Sequence, residues 1–352
     1  MAYSSIAKPT DYFNTVLYTG DGTSNRNITG FGFQPDWLWQ KARNQSFNHY
    51  LFDSVRGNSS VIKSNSTDAQ DTSTTGFNGF ISDGFNVSQV TGWEMNNSSL
   101  SVQYANWCWR AGGSASSNSN GSITSSVSAN TTSGFSIVSY TGTGSVATVG
   151  HGLGVAPKLI IIKRRTGGTD AWPVDLRATS GTAYLNETGS VQAYGNSTPF
   201  PSTAPTTTVF SIGTANNANA NGSDFIAYCF AEKQGYSKMG KYEGNGNADG
   251  TFVYTGFKPA FTLIKRDATD NWAMHDNRRP ERGGNPNDAA LRANLADGEY
   301  GGSQGVDFLS NGFKARQNDG EFNASGNSYI YLAIAEEPLV ANVGNGIPAT
   351  AV

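Results

Sequence analysis

The side chains that could do chemistry are few in this chain of 352 residues: three histidines, His49, His151 and His275, and two cysteines, Cys108 and Cys229. No HxH, HExxH or Cys/His spacing joins them, so no transition-metal site is expected. A nucleophilic serine elbow is not expected either. Both cysteines sit in the middle of apolar runs, YANWCWRA and FIAYCFAE, which suits a buried thiol better than an activated thiolate. The glycine-rich strings GDGTS and GNGNADG lack the Lys-Ser/Thr ending of a phosphate loop and read as turns.

Carboxylates are the stronger candidates, because glycoside hydrolysis needs two of them at a set separation. Asp53 in LFDSVR, Asp175 in WPVDLR and Asp276 in MHDNRR each precede a basic residue, Arg56, Arg177 and Arg278. Their recurrence favours a structural role, an Asp–Arg pair holding a loop, over an active site confined to one place. Tryptophans could supply sugar-stacking platforms. Trp37 and Trp39, like Trp107 and Trp109, alternate on strand patterns and are explained equally well by core packing. Trp93, in TGWEMNNSS, is the better candidate for an exposed contact.

The elements that position these residues form a threefold internal repeat. Tyr18, Tyr140 and Tyr242 open the turns YTGDG, YTGTG and YEGNG, and each lies 17 residues before a proline, Pro35, Pro157 or Pro259. Lys41, Lys163 and Lys265 follow those prolines by 6 residues. Each copy closes on an apolar run in which Cys108, Cys229 and Ala333 are equivalent, 73, 72 and 74 residues past the proline. The two cysteines therefore occupy matching places in separate copies and are expected to be reduced.

Runs such as LIIIK and FTLIK are short, apolar and bounded by Gly or Pro, the pattern of strands. SDGF and SNGF read as hairpin turns. With no convincing amphipathic helix, the fold class is all-β: three tandem β-sandwich modules of jelly-roll or immunoglobulin-like type, spanning 14–111, 135–233 and 237–337. Residues 112–134, a Gly/Ser/Asn stretch, read as a flexible linker. Residues 1–13 and 338–352 read as arms that dock on other subunits, in a symmetric homo-oligomer with a trimer first. The net charge of −3, with only 14% charged residues and no basic stripe, argues against a nucleic-acid partner. No run is long and apolar enough to span a membrane, and the N-terminus lacks a signal-peptide pattern. No cofactor is expected.

The segments DYFNTVLYTGDGTSNRNITGFGFQPDWLW, GFSIVSYTGTGSVATVGHGLGVAPKLIIIK and SYIYLAIAEEPL resemble repeats in virion structural proteins of tailed, especially marine, bacteriophages. The resemblance implies a non-enzymatic protein on the virion surface, made in the host cytoplasm, with other virion proteins as partners. A tail fibre or adhesin with weak host-glycan contact comes first. Coiled-coil heptads and collagen-like repeats, the usual stuff of a fibre shaft, are absent, so a capsid decoration protein is an alternative. A polysaccharide-degrading tailspike is the second. The family supplies no catalytic residues.

Overall fold

A chain rich in Gly, Asn, Ser and Thr has few strong helix formers, so its backbone donors and acceptors are satisfied mainly in ladders. The computed structural model describes residues 4, 6–73, 75–92, 94–179, 181–280, 284–301 and 305–339. Among these the chain is nearly all β, and the named strands pair antiparallel in several sheets. Helix among them is confined to single turns at Pro9–Asp11 and Asn216–Asn219.

The same strand order recurs in the three larger sheets. The tyrosine strand lies beside the closing strand, then come the lysine strand and the aspartate strand. These are Phe13–Thr19, Gln103–Trp109, Trp37–Ala42 and Tyr50–Asp53 in the first repeat. In the second they are Phe135–Thr141, Asp224–Phe230, Leu159–Arg164 and Pro173–Leu176. In the third they are Ser237–Glu243, Ser328–Pro338, Phe257–Arg266 and Trp272–Asp276. Register agrees as well: Tyr18 faces Tyr104, Tyr140 faces Phe225 and Tyr242 faces Tyr329. Pro35 and Pro157 precede their strands, whereas Pro259 lies inside one, at a register shift where no ladder donor is required.

A smaller sheet accompanies each larger one: Arg26–Thr29, Gly84–Val87 and Phe77–Ile81; Ala147–Gly150 and Val209–Ile212; Phe252–Tyr254, Gly312–Ala315 and Val306–Leu309. SDGF and SNGF make two-residue hairpin turns, closed by the pairs Ile81–Gly84 and Leu309–Gly312. Glycine is required at both closing positions. A Cβ on Gly84 would stand 2.0 Å from the Ile28 carbonyl oxygen, and one on Gly312 2.0 Å from that of Val253.

One expectation is corrected. The stretch 112–134 is not a flexible linker. It forms the strands Ser116–Asn118 and Ser125–Asn130, which extend the second repeat's sheet to eight strands by pairing on Phe135–Thr141. Burial of Ile123 and Val127 anchors this hairpin, while its polar residues need only a backbone partner. The expected N-terminal docking arm is tied down within its own chain over its described residues. Ile6 is buried in the core and the Tyr12 ring lies 6.1 Å from Tyr236. Of the expected C-terminal arm, residues 340–352 lie outside the described residues.

The larger sheets bury both faces. One face packs on the smaller sheet: Leu38, Phe52 and Cys108 meet Ile28, Phe77, Phe85 and Val87 in the first repeat. The opposite faces of all three larger sheets share one core, containing Trp37, Trp39, Trp107 and Trp109, then Phe135, Ile161 and Tyr228, then Phe261, Leu263 and Leu332. Trp37 is its hinge point, with its ring 4.5 Å from Trp109, 4.3 Å from Tyr228 and 5.6 Å from Phe135. Phe261 brings in the third repeat, 5.7 Å from both Phe13 and Trp109.

Candidate functional site

Each repeated residue has a definite place, and all but the half-buried Tyr18 are buried. Tyr18, Tyr140 and Tyr242 reach across their glycine-rich turns to donate to the carbonyls of Met95, Ala218 and Phe322, the latter two at 2.7 Å. The next residue in each copy is an asparagine that sequence reasoning missed. Asn96, Asn219 and Asn323 accept from the backbone N–H of Asp21, Thr143 and Asn245 and donate back to carbonyls or a carboxylate of the same loops. Their recurrence beside equivalent turns was the available signal, hidden among many other asparagines.

Lys41, Lys163 and Lys265 are fully buried, and each ammonium is spent on main-chain oxygens. Lys41 donates to Ala42 and Gln45, Lys163 to Thr67 and Asp170, and Lys265 to Arg266 and Ala268. Burial works against the charge and pulls Lys41 down to about 7 and the other two to about 8. Below those values the folded state carries buried charges that the unfolded chain solvates. As pH rises through them, the unfolded chain binds more protons than the folded one, so stability rises. The midpoint of urea denaturation should therefore increase between pH 7 and 8.5, and Lys41→Met should reduce that slope. A flat or falling profile in the wild type would contradict the assignment.

The three aspartates are the heart of the question, because they were the acid–base candidates. Asp53 and Asp276 form buried ion pairs with Arg56 and Arg279, Nε to Oδ2 at 2.5 Å in each, with both side chains wholly out of water. The partner in the third repeat is thus Arg279 and not Arg278, whose backbone N–H alone reaches Asp276. An Asp–Arg spacing of three lets the guanidinium fold back over its own turn, as in the first repeat. Each carboxylate also accepts from another repeat: Tyr228 donates its hydroxyl to Asp53, and Trp107 its indole N–H to Asp276, both at 2.8 Å.

Asp175 breaks this pattern. Trp107, Tyr228 and Leu332 are equivalent, facing Trp39, Ile161 and Leu263 across the ladder. Leu332 has nothing to donate, and Asp175 turns to its own repeat instead. It accepts from the Tyr194 hydroxyl at 2.6 Å and lies 2.8 Å from Arg177 Nη2, close in distance but without hydrogen-bond alignment. Burial, only partly offset by Arg177, pushes its carboxyl up to about 6.

The repeats are further joined head to tail. Trp172 of the second donates to the Ser66 carbonyl of the first at 2.9 Å, and Trp272 of the third to the Tyr184 carbonyl of the second at 2.8 Å. His49 of the first closes the ring on the Arg292 carbonyl of the third at 3.0 Å, while its Nδ1 accepts from Trp39. Those two bonds fix a neutral imidazole with the proton on Nε2, and burial lowers its pKa well below the ordinary value. His151 holds a similar place in a loop, between the Leu153 N–H and the Thr206 carbonyl. His275 is buried near Phe322. Cys108 and Cys229 are free and buried in different core clusters, and Ala333 fills the third equivalent position. All six described tryptophans are buried; Trp93 lies outside the described residues.

Nothing in this arrangement brings two repeated carboxylates into one open groove. A groove of about 190 Å³ between Lys258, Asn277, Asn285, Phe308 and Glu336 contains none of them. Among the described residues no group of three His, Cys, Asp or Glu side chains could hold a metal ion. The string GGSQG at 301–305 does have the spacing of a serine elbow, contrary to expectation. The strand Val306–Leu309 follows it, where such an elbow needs a helix, and residues 302–304 lie outside the described residues.

Comparison with known proteins places residues 8–338 under one family profile, described as a domain of unknown function, DUF7483. No curated protein matches the chain.

Proposed function

The chain belongs to the DUF7483 family, and from the architecture that fills the matched span we propose that it is a non-enzymatic structural protein on the surface of a tailed-phage virion. In this reading three tandem homologous β-sandwich modules are locked into one rigid body. The observation that carries it is the burial of the repeated carboxylates, each already bound to partners within the chain. A general acid or base must reach its substrate, and these do not meet solvent. The resemblance of the repeats to phage virion proteins supplies the location. A tail appendage of adhesin type, making weak glycan contacts multiplied by copy number, is the first form of the proposal.

Immunogold labelling of particles tests the location. Label on the tail supports an appendage, label on the head moves the proposal to capsid decoration, and unlabelled particles overturn it. Purified protein incubated with host surface polysaccharide should release no new reducing ends. Release lost on changing Asp53, Asp175 or Asp276 alone, in a protein that melts normally, would establish a tailspike enzyme instead.

A further inference from the structure

The repeat supplies its own control: a surface position that differs in one copy can be compared with the other two in the same register. In the first small sheet, the strand Arg26–Thr29 presents Asn27 and Thr29 outward, and Asn27 joins a polar ladder with Asn86 and Asn78. In the second, Thr148 is tied to Ser122. The third carries Phe252 and Tyr254 at the matching places, aligned through the inward Ile28, Val149 and Val253, which face Phe85, Phe210 and Phe313. These two aromatics are 43% and 49% exposed, and among the other described rings only Tyr300, at 42%, is comparably open. Opposite Tyr254 in the ladder stands Gly312.

A groove of about 330 Å³ runs beside Tyr254, bordered by Glu232, Lys233, Gln234 and Lys238. The Lys238 ammonium lies 5.6 Å from the Tyr254 ring centre. The carboxylate of Glu232 accepts from the Met239 N–H and keeps its negative charge, so with Lys233 and Lys238 the groove carries a net positive charge of one. Across the strand from Phe252, Lys314 is paired with Asp249 and adds no further charge.

We propose that Phe252 and Tyr254, with Lys233 and Lys238, form a binding site for an acidic oligosaccharide. A sugar ring lays its C–H face on the aromatic platform, its carboxylate meets the lysines, and Gln234 is placed for its hydroxyls. Tyrosine suits such contacts because it offers rigid, amphipathic area at low entropic cost. A protein partner fits less well: a stable interface needs about 800 Å² per partner, and a three-residue strand is too short an edge to add a peptide strand. The inference rests on the proposed surface location for its biological sense only, since binding is read on isolated protein and particle labelling is read separately.

The test uses the full chain with hexagalacturonate as probe and maltohexaose as its uncharged counterpart, followed by titration and ligand-observed NMR. The acidic sugar should bind the wild type more tightly than the neutral one. The double variant Phe252→Asn/Tyr254→Thr borrows the first repeat's own residues and should keep the wild-type melting temperature while binding at least about tenfold more weakly. Lys238→Gln should remove the preference for the acidic sugar and leave neutral binding unchanged. Equal binding by the double variant, or no binding of either sugar to the wild type, overturns the site. So does a concentration-dependent dimer that the same double variant abolishes, which would make this face a contact between copies.

Discussion

Asp276→Ala should lower the stability of the folded chain by about 3–5 kcal/mol, the usual consequence of leaving a buried charge without its partner. Arg279 would keep the Met274 carbonyl, its place over the Trp107 ring and a longer contact with Glu299 at 3.4 Å, and the Trp107 indole would lose its acceptor. Asp53→Ala should cost a similar amount, because Arg56 and Tyr228 are stranded in the same way. Asp175→Asn should change stability by less than about 1 kcal/mol. Its carboxyl is already pushed toward the neutral form, and Arg177 already donates to the Thr203 carbonyl. Because the folded state holds the Asp175 proton more tightly than the unfolded chain, wild-type stability contributed at this site falls as pH rises from about 4 to about 6. The Asn variant should lack that loss. Urea denaturation at pH 5 and pH 7 reads all of this, and three equal small effects would refute the distinction between the sites.

Trp37→Ala should be as damaging, at about 3–5 kcal/mol, since it empties a large volume at the point where the repeats meet. Its ring touches Trp109 in its own sheet and Phe135, Tyr228 and Phe230 in the next. The wild type should unfold in one transition, seen alike by tryptophan fluorescence and far-ultraviolet circular dichroism. In the variant the midpoint should drop for the whole chain. A loss confined to the first repeat, with the others melting as before, would show that the shared core does not couple them.

The residues explain why some of this was legible in the sequence. Tyr, Pro, Lys and Asp recur at fixed spacings because each fills a position that the strand order repeats. The strings WLWQKA and LIIIKR also hint that both faces of their strands are covered, since apolar residues run on without alternation. What they could not reveal was the partner on the second face, because that partner is another copy of the same sheet and periodicity carries no address. The hairpin at 116–130 was hidden for a different reason: Ser and Asn strands are held by main-chain bonds that composition does not register. Arg279 rather than Arg278 answers Asp276 because side-chain reach, and not nearness in sequence, selects the partner.

Closure of the three copies within a single polypeptide has a consequence for how the protein can vary. Were the same ring assembled from three separate chains of one repeat each, any substitution would appear three times, and a change tolerated at one place would be forced on all. Covalent linkage removes that constraint. Leu332 can stand where its counterparts are Trp107 and Tyr228, and Tyr254 can face outward where its counterpart is Thr29. One copy can therefore be specialised without rebuilding the other two.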